Sequence, residues 1–258
     1  MSVIVLVLAY DGTNFRGFAR QPGRRTVEGA LIEALQPVLG HRPALSAAGR
    51  TDAGVHAEGQ VVSFPADQDP VRVGRVVNGK LAPEVVVVRA RRTHDGFDAR
   101  RGATAREYRY RIRTAEAPDP FTARFEWHRP GTYRLTAMRR AARALEGEHD
   151  FASFCRRPPA GRSTVRTLRR LAVRRDGSRL EVRARADGFL HQMVRSLVGT
   201  LVAVGEGRMD PAAIPAVLAA RDRSAAGPVA PPVGLTLVSV TYGARQATRA
   251  GSRTSGEG

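Results

Sequence analysis

The chain's 258 residues are 42% hydrophobic and 26% charged, and 42 lysines and arginines against 24 acids give a formal net charge of +18. No run approaches the roughly 18 consecutive apolar residues of a membrane helix, residues 1–9 lack a signal peptide's basic start, and the single Cys155 can neither close an internal disulfide nor complete a Cys-x-x-Cys zinc site. The expectation is a cytoplasmic globular protein with one sizeable core or two modest ones, a buried or idle thiol, and a polyanionic partner.

In chain order, residues 3–9 form an apolar run that predicts a strand, and 26–39 carry helical spacing opened by Thr26 as N-cap. Residues 44–48 read as a short strand leading into a turn, 60–64 as a strand, 71–81 as a second helix and 85–91 as another strand. Strand, helix, strand, strand, helix, strand is the order of a ferredoxin-like unit, assigned here to residues 1–95.

From 96 to 243 the scheme repeats with longer parts. In 106–113, Tyr108, Tyr110 and Ile112 share one face while Glu107, Arg109, Arg111 and Arg113 share the other. Residues 135–145 predict a helix, and Asp176-Gly177 signals a hairpin between strands at 168–174 and 179–186. Leu190, Met193, Val194, Leu197, Val198 and Leu201 fall at helical spacing, and 235–242 close the fold as a strand. The halves share no visible identity, so the repeat is one of topology, with a cleft between its parts. Residues 244–258 are small, polar and basic, the composition of a disordered tail.

The charge is clustered. Between residues 156 and 185 stand eleven arginines against Asp176 and Glu181, and between 89 and 113 nine against Asp95, Asp98 and Glu107, windows of +9 and +6. Guanidinium forks match phosphate oxygens, so the pattern points to a nucleic acid backbone. Lys80 is the sole lysine, and part of the arginine excess is therefore compositional habit, but habit does not set the net sign.

The segment Gly49-Arg50-Thr51-Asp52-Ala53-Gly54-Val55-His56 sets a carboxylate between an arginine and a glycine turn, just ahead of a strand. Two readings are open. Asp52 and Gly54 can be ordinary turn residues, or the turn can hold a carboxylate open to substrate beside cations, as nucleophilic or acid/base chemistry requires. The six histidines, at 41, 56, 94, 128, 149 and 191, show no i,i+4 pairing and no flanking cysteines, so no metal site is expected; His56 reads as a hydrogen-bonding member of the turn. His191 reads as a phosphate contact or simply the start of its helix, and Asp11 as structural. There is no P-loop and no Gly-x-Gly-x-x-Gly, and no cofactor is expected.

The octet at 49–56 with Gly59-Gln60-Val61-Val62-Ser63-Phe64 resembles the active-site motif of the tRNA pseudouridine synthase A (TruA) family. Tyr10-Asp11-Gly12-Thr13-Asn14-Phe15-Arg16-Gly17-Phe18 is similar to its opening motif and Ala103-Thr104-Ala105-Arg106-Glu107-Tyr108-Arg109-Tyr110 to its second. Phe189-Leu190-His191-Gln192-Met193-Val194-Arg195 is similar to its third, and Gly234-Leu235 to its last. The resemblance implies an α/β (α+β) pseudouridine synthase fold, two ferredoxin-like halves whose sheets line a basic central cleft. It implies a cofactor-free isomerase converting uridine to pseudouridine at tRNA positions 38, 39 and 40 of the anticodon stem-loop, working as a homodimer. Asp52 would be the nucleophile, Arg195 its counter-charge, and Arg50 the residue that holds the uridine out of the stack or fills its place. Tyr108 and Leu235 would contact the extruded base, and His56 is placed with them among the substrate-binding residues. Phe18, Ala19 and Glu28 depart from the family pattern, which concerns packing or RNA contacts more than chemistry. Two rival readings stay open: a non-catalytic RNA-binding module on a ferredoxin-like sheet, which would have no need of Asp52 beside Arg50, and a synthase acting on other uridines.

Overall fold

The computed structural model describes residues 2–156, 161 and 163–243; the tail expected at 244–258 lies outside the described residues. The first unit runs β1 (Val3–Tyr10), α1 (Val27–Leu39), β2 (Ser46–Ala47), β3 (His56–Pro65), α2 (Pro70–Leu81) and β4 (Val85–Thr93). Thr26 caps α1 by accepting the Gly29 N–H, and Gly40, at φ 79°, ends it in the left-handed region that glycine tolerates. Asp69 caps α2 by accepting from Val71 and Arg72, with Pro70 at the first helical position, where its missing N–H costs nothing.

The second unit runs β5 (Ala103–Arg113), β6 (Trp127–His128), α3 (Leu135–Leu145), β7 (Gly147–Asp150), β8 (Val165–Asp176), β9 (Arg179–Ala186), α4 (Met193–Gly205), α5 (Ile214–Ala220) and β10 (Leu235–Tyr242). Among the described residues all ten strands join one sheet, whose path is β4-β1-β3-β10-β5-β9-β8-β7. Each unit repeats one order. In the first, β4, β1, β3 and β2 lie side by side; in the second, β10, β5, β9 and β8 do. The expected repeat is therefore present in topology, and the two units share one continuous sheet.

The joint explains where the first unit departs from expectation. The strand expected at 44–48 is only two residues long, because the edge of β3 is divided between two partners. Ser46 and Ala47 pair with Ser63 and Val62, whereas Thr236 and Leu237 of β10 pair in parallel with His56 and Ala57. Between these contacts the chain is free to leave the sheet, and residues 49–55 do so.

Side-chain alternation sorts the core. Ile4, Leu6 and Leu8 of β1 face the main core with Tyr108, Tyr110 and Ile112 of β5, Leu180, Val182 and Ala184 of β9, and the apolar stripe of α4. Val3 and Val5 face the other way, into a smaller cluster with Val61, Phe97 and Ala99. Cys155 is buried, one of the two alternatives expected of its thiol. The Asp176-Gly177 hairpin forms, with Gly177 at φ 54°.

Helix α4 is fixed by a close approach. A Cβ on Gly199 would stand 1.6 Å from the Pro228 carbonyl oxygen, on the segment whose Ala230 carbonyl holds Arg195. Gly199→Ala is therefore expected to destabilise the fold by about 2–3 kcal/mol, although alanine alone favours a helix by ~1 kcal/mol. Urea unfolding measures it, and an unchanged midpoint would contradict the packing described.

Candidate active site

The turn that leaves the sheet at Gly49 is clasped along its length. Gln60, fully buried on β3, donates from Nε2 to the Gly49 carbonyl (2.7 Å) and accepts the Gly49 N–H at Oε1 (3.3 Å). Arg106 donates from Nε and Nη2 to the Ala48 carbonyl (3.1 and 2.9 Å), and burial pushes its pKa down from the ordinary arginine value. The Phe18 N–H donates to the Thr51 carbonyl (3.0 Å), the Gly54 N–H to Phe15 (3.3 Å), and the Tyr10 hydroxyl lies 2.8 Å from Thr51 Oγ1. Burial pushes Tyr10 up to about 12 against the opposing hydrogen bonds, so it stays protonated at neutral pH. Gly54 sits at φ 77°, the backbone conformation that lets the turn close.

At the apex, Asp52 is half-buried, its side chain 24% exposed. Arg195, on the first turn of α4, donates from Nη1 to Asp52 Oδ2 at 3.0 Å and from Nε to the Ala230 carbonyl at 2.7 Å. One guanidinium thus joins the turn of the first unit to α4 and the 230 segment of the second, across 143 positions of sequence. His191 stands on the other side of the carboxylate, its Nε2 3.8 Å from Oδ1.

These groups open on a cavity of about 800 Å³. Asp52, Arg195, Tyr108, Leu235 and the exposed Arg50 line it, and Arg100, Arg101 and Arg166 bring further cations. Among the described residues Arg50 takes part in no ion pair. Tyr108 is 7% exposed, with its ring edge-on to Phe189 at 5.2 Å. Burial, then the nearby Tyr10 and Asp52, push its hydroxyl well above the usual tyrosine range, which keeps it a proton donor.

His56 stands apart from the cavity. It is 2% exposed and does not line the cavity; its ring is spent on the protein. Nδ1 accepts the Gly12 N–H (3.0 Å) and Nε2 donates to the Val233 carbonyl (3.2 Å), tying the opening loop, β3 and the approach to Leu235 together. Burial lowers its pKa, and the neutral ring serves both bonds. The hydrogen bonds expected of it are present. Asp11 is structural, with Oδ1 accepting from Thr13 and lying 3.2 Å from His56 Nδ1. Of the departures from the family pattern, Phe18 is in the core and Glu28 accepts the Arg20 N–H. Sequence reasoning gave no role to Tyr10, Gln60 or Arg106. Each stands inside a quoted motif, but only the folded contacts show what it holds.

A half-buried carboxylate, ion-paired to an arginine and set in a cavity edged by guanidinium groups on a doubled ferredoxin-like sheet, defines an α+β enzyme built for a polyanionic substrate. Residues 141–243 match the family model described as tRNA pseudouridine synthase. The tRNA pseudouridine synthase A of Frankia casuarinae is 49% identical over 92% of this chain and 88% of its own. Those of Methylobacterium sp. strain 4-46 (45%; 92% and 96%) and Geobacillus kaustophilus (43%; 93% and 94%) are similar along nearly their whole length. The chain belongs to the tRNA pseudouridine synthase A family, isomerases that act on tRNA.

Proposed function

We propose that the cavity receives a uridine flipped from the anticodon stem-loop of tRNA, at positions 38, 39 and 40, and that Asp52 is the nucleophile of its isomerisation. The observation that carries this is the carboxylate at the cavity wall, with Oδ2 engaged by Arg195. The reaction breaks the bond from N1 to C1′, turns the base, joins C5 to C1′ and moves a proton from C5 to N1. It is redox-neutral and uses no second substrate, so ionisable side chains suffice. Asp52 forms or stabilises the intermediate in which the base is detached, and Arg195 holds the carboxylate in place by its contact to Oδ2. Tyr108 offers the uracil an aromatic flank and a hydroxyl, Leu235 an apolar wall, and Arg50 a side chain able to fill the place the base leaves. A volume of about 800 Å³ suits one nucleotide.

Residues 1–95 and 96–243 act as the two structural units of the site, and a homodimer holds one tRNA across both subunits. The working location is the cytoplasm, where tRNA is modified; among the described residues no helix is long and apolar enough to cross a membrane. The test is to map pseudouridine in tRNA from cells lacking the gene. Loss at 38, 39 and 40, restored by the gene, supports the proposal; loss at other uridines alone overturns it.

Phosphate contacts from the two arginine-rich windows should govern binding. Affinity for tRNA is expected to fall with salt at a log-log slope of about −0.7 to −0.9 per contact. A slope near zero in a filter-binding series would contradict this.

A further inference from the structure

His191 has no part in the chemistry above, yet it faces the oxygen of Asp52 that Arg195 does not engage. Its Nε2 lies 3.8 Å from Oδ1, and its side chain is 40% exposed and lines the cavity. The backbone that places it there is strained. Gln192, the next residue, sits at φ 59° and ψ 13°, in the left-handed region that non-glycine residues avoid, and its Oε1 is buried with no hydrogen-bond partner among the described residues. Such conformations persist only where the surroundings over-determine them, and they gather at functional sites. Here the surroundings are clear: Leu190 and Met193 anchor the turn in the core on either side, and the Arg156 N–H donates to the His191 carbonyl at 3.2 Å. A turn pinned at both ends and kept in an unfavourable conformation carries His191 to the carboxylate.

We propose that His191 is a positioning residue for Asp52. Arg195 holds Oδ2, and the His191 Nε2–H steadies Oδ1, so that the carboxylate cannot rotate about its Cβ–Cγ bond as the uridine approaches. The separation of 3.8 Å is longer than a hydrogen bond, and contacts of catalytic groups are often long in the absence of substrate and tighten in its presence. The inference rests on Asp52 being the reacting group.

The experiment uses the full chain and an unmodified tRNA transcript. It compares His191→Ala, His191→Gln and His191→Asn by single-turnover rate with enzyme in saturating excess, by tRNA affinity, and by unfolding midpoint. Glutamine puts an amide N–H about where Nε2 stands, whereas asparagine reaches only the position of Nδ1. Alanine and asparagine are expected to slow the step by roughly 10–100-fold and glutamine to stay within about 5-fold of the wild type. Affinity should change less than about 3-fold throughout. An unaltered rate in His191→Ala overturns the proposal, as does lost affinity at constant rate, the mark of a phosphate contact, or equal rates for glutamine and asparagine. Activity persisting in Asp52→Asn would instead strike at the underlying reading of the site, so the two failures are distinguishable.

Discussion

Asp52→Asn is expected to lower pseudouridine formation in tRNA by at least ~10⁴-fold while fold and tRNA affinity survive. Asparagine keeps the shape of the side chain and one oxygen to accept from Arg195, so the contact at 3.0 Å can persist in weakened form. What it removes is the negative charge and the nucleophilic oxygen. The turn does not depend on that charge, because Gln60, Arg106 and Phe18 hold its backbone and Tyr10 holds the Thr51 hydroxyl independently. If Asp52 were only a turn residue, asparagine would serve equally well and the rate would hardly move. Primer-extension or mass-spectrometric quantification of pseudouridine, beside a binding titration and an unfolding curve, separates these outcomes.

Arg195→Ala removes two bonds at once. It leaves the Asp52 carboxylate without its guanidinium and the Ala230 carbonyl without its donor. The pair is partly exposed, at 13% and 24%, so solvent screens the loss and the destabilisation should be about 1–3 kcal/mol, below that of a fully buried pair. Turnover should fall further, by roughly 10²–10³-fold, because the carboxylate loses the contact that orients it. Arg195→Lys should recover only part of this, since an ammonium cannot reproduce the planar fork that serves Oδ2 and the Ala230 carbonyl together. Near-normal turnover by folded Arg195→Ala would show that the ion pair is not required.

Strands that are half-buried announced themselves in the sequence. The alternation in 106–113 and 179–186 follows from one face meeting the core and the other solvent, and it placed Tyr108, Tyr110, Val182 and Ala184 on the correct side. The start of β3 at His56 was hidden. Glu58 and Gly59 break the pattern there, and Gly59 is needed because a Cβ would meet the Val238 carbonyl oxygen at 2.4 Å, a contact made by β10 far along the chain. For the same reason β2 read longer than it is. At the site, the turn chemistry around Asp52 was visible locally, but its pairing with Arg195 came only through family resemblance, since no local pattern reaches across 143 residues. The burial of His56 and its two hydrogen bonds are tertiary facts that its place beside Asp52 in sequence did not reveal. The left-handed Gln192 had no signal at all, because that region is ordinarily marked by glycine or asparagine.

The most direct measurement is the release of tritium from tRNA carrying uridine labelled at C5, incubated with the purified chain and nothing else that reacts. Joining C5 to C1′ must expel that hydrogen, so the label reports the isomerisation itself. The account predicts that wild type releases tritium to water in proportion to the pseudouridine formed, and that Asp52→Asn releases none above background. No release by the wild type, or sustained release by Asp52→Asn free of contaminating enzyme, would contradict it.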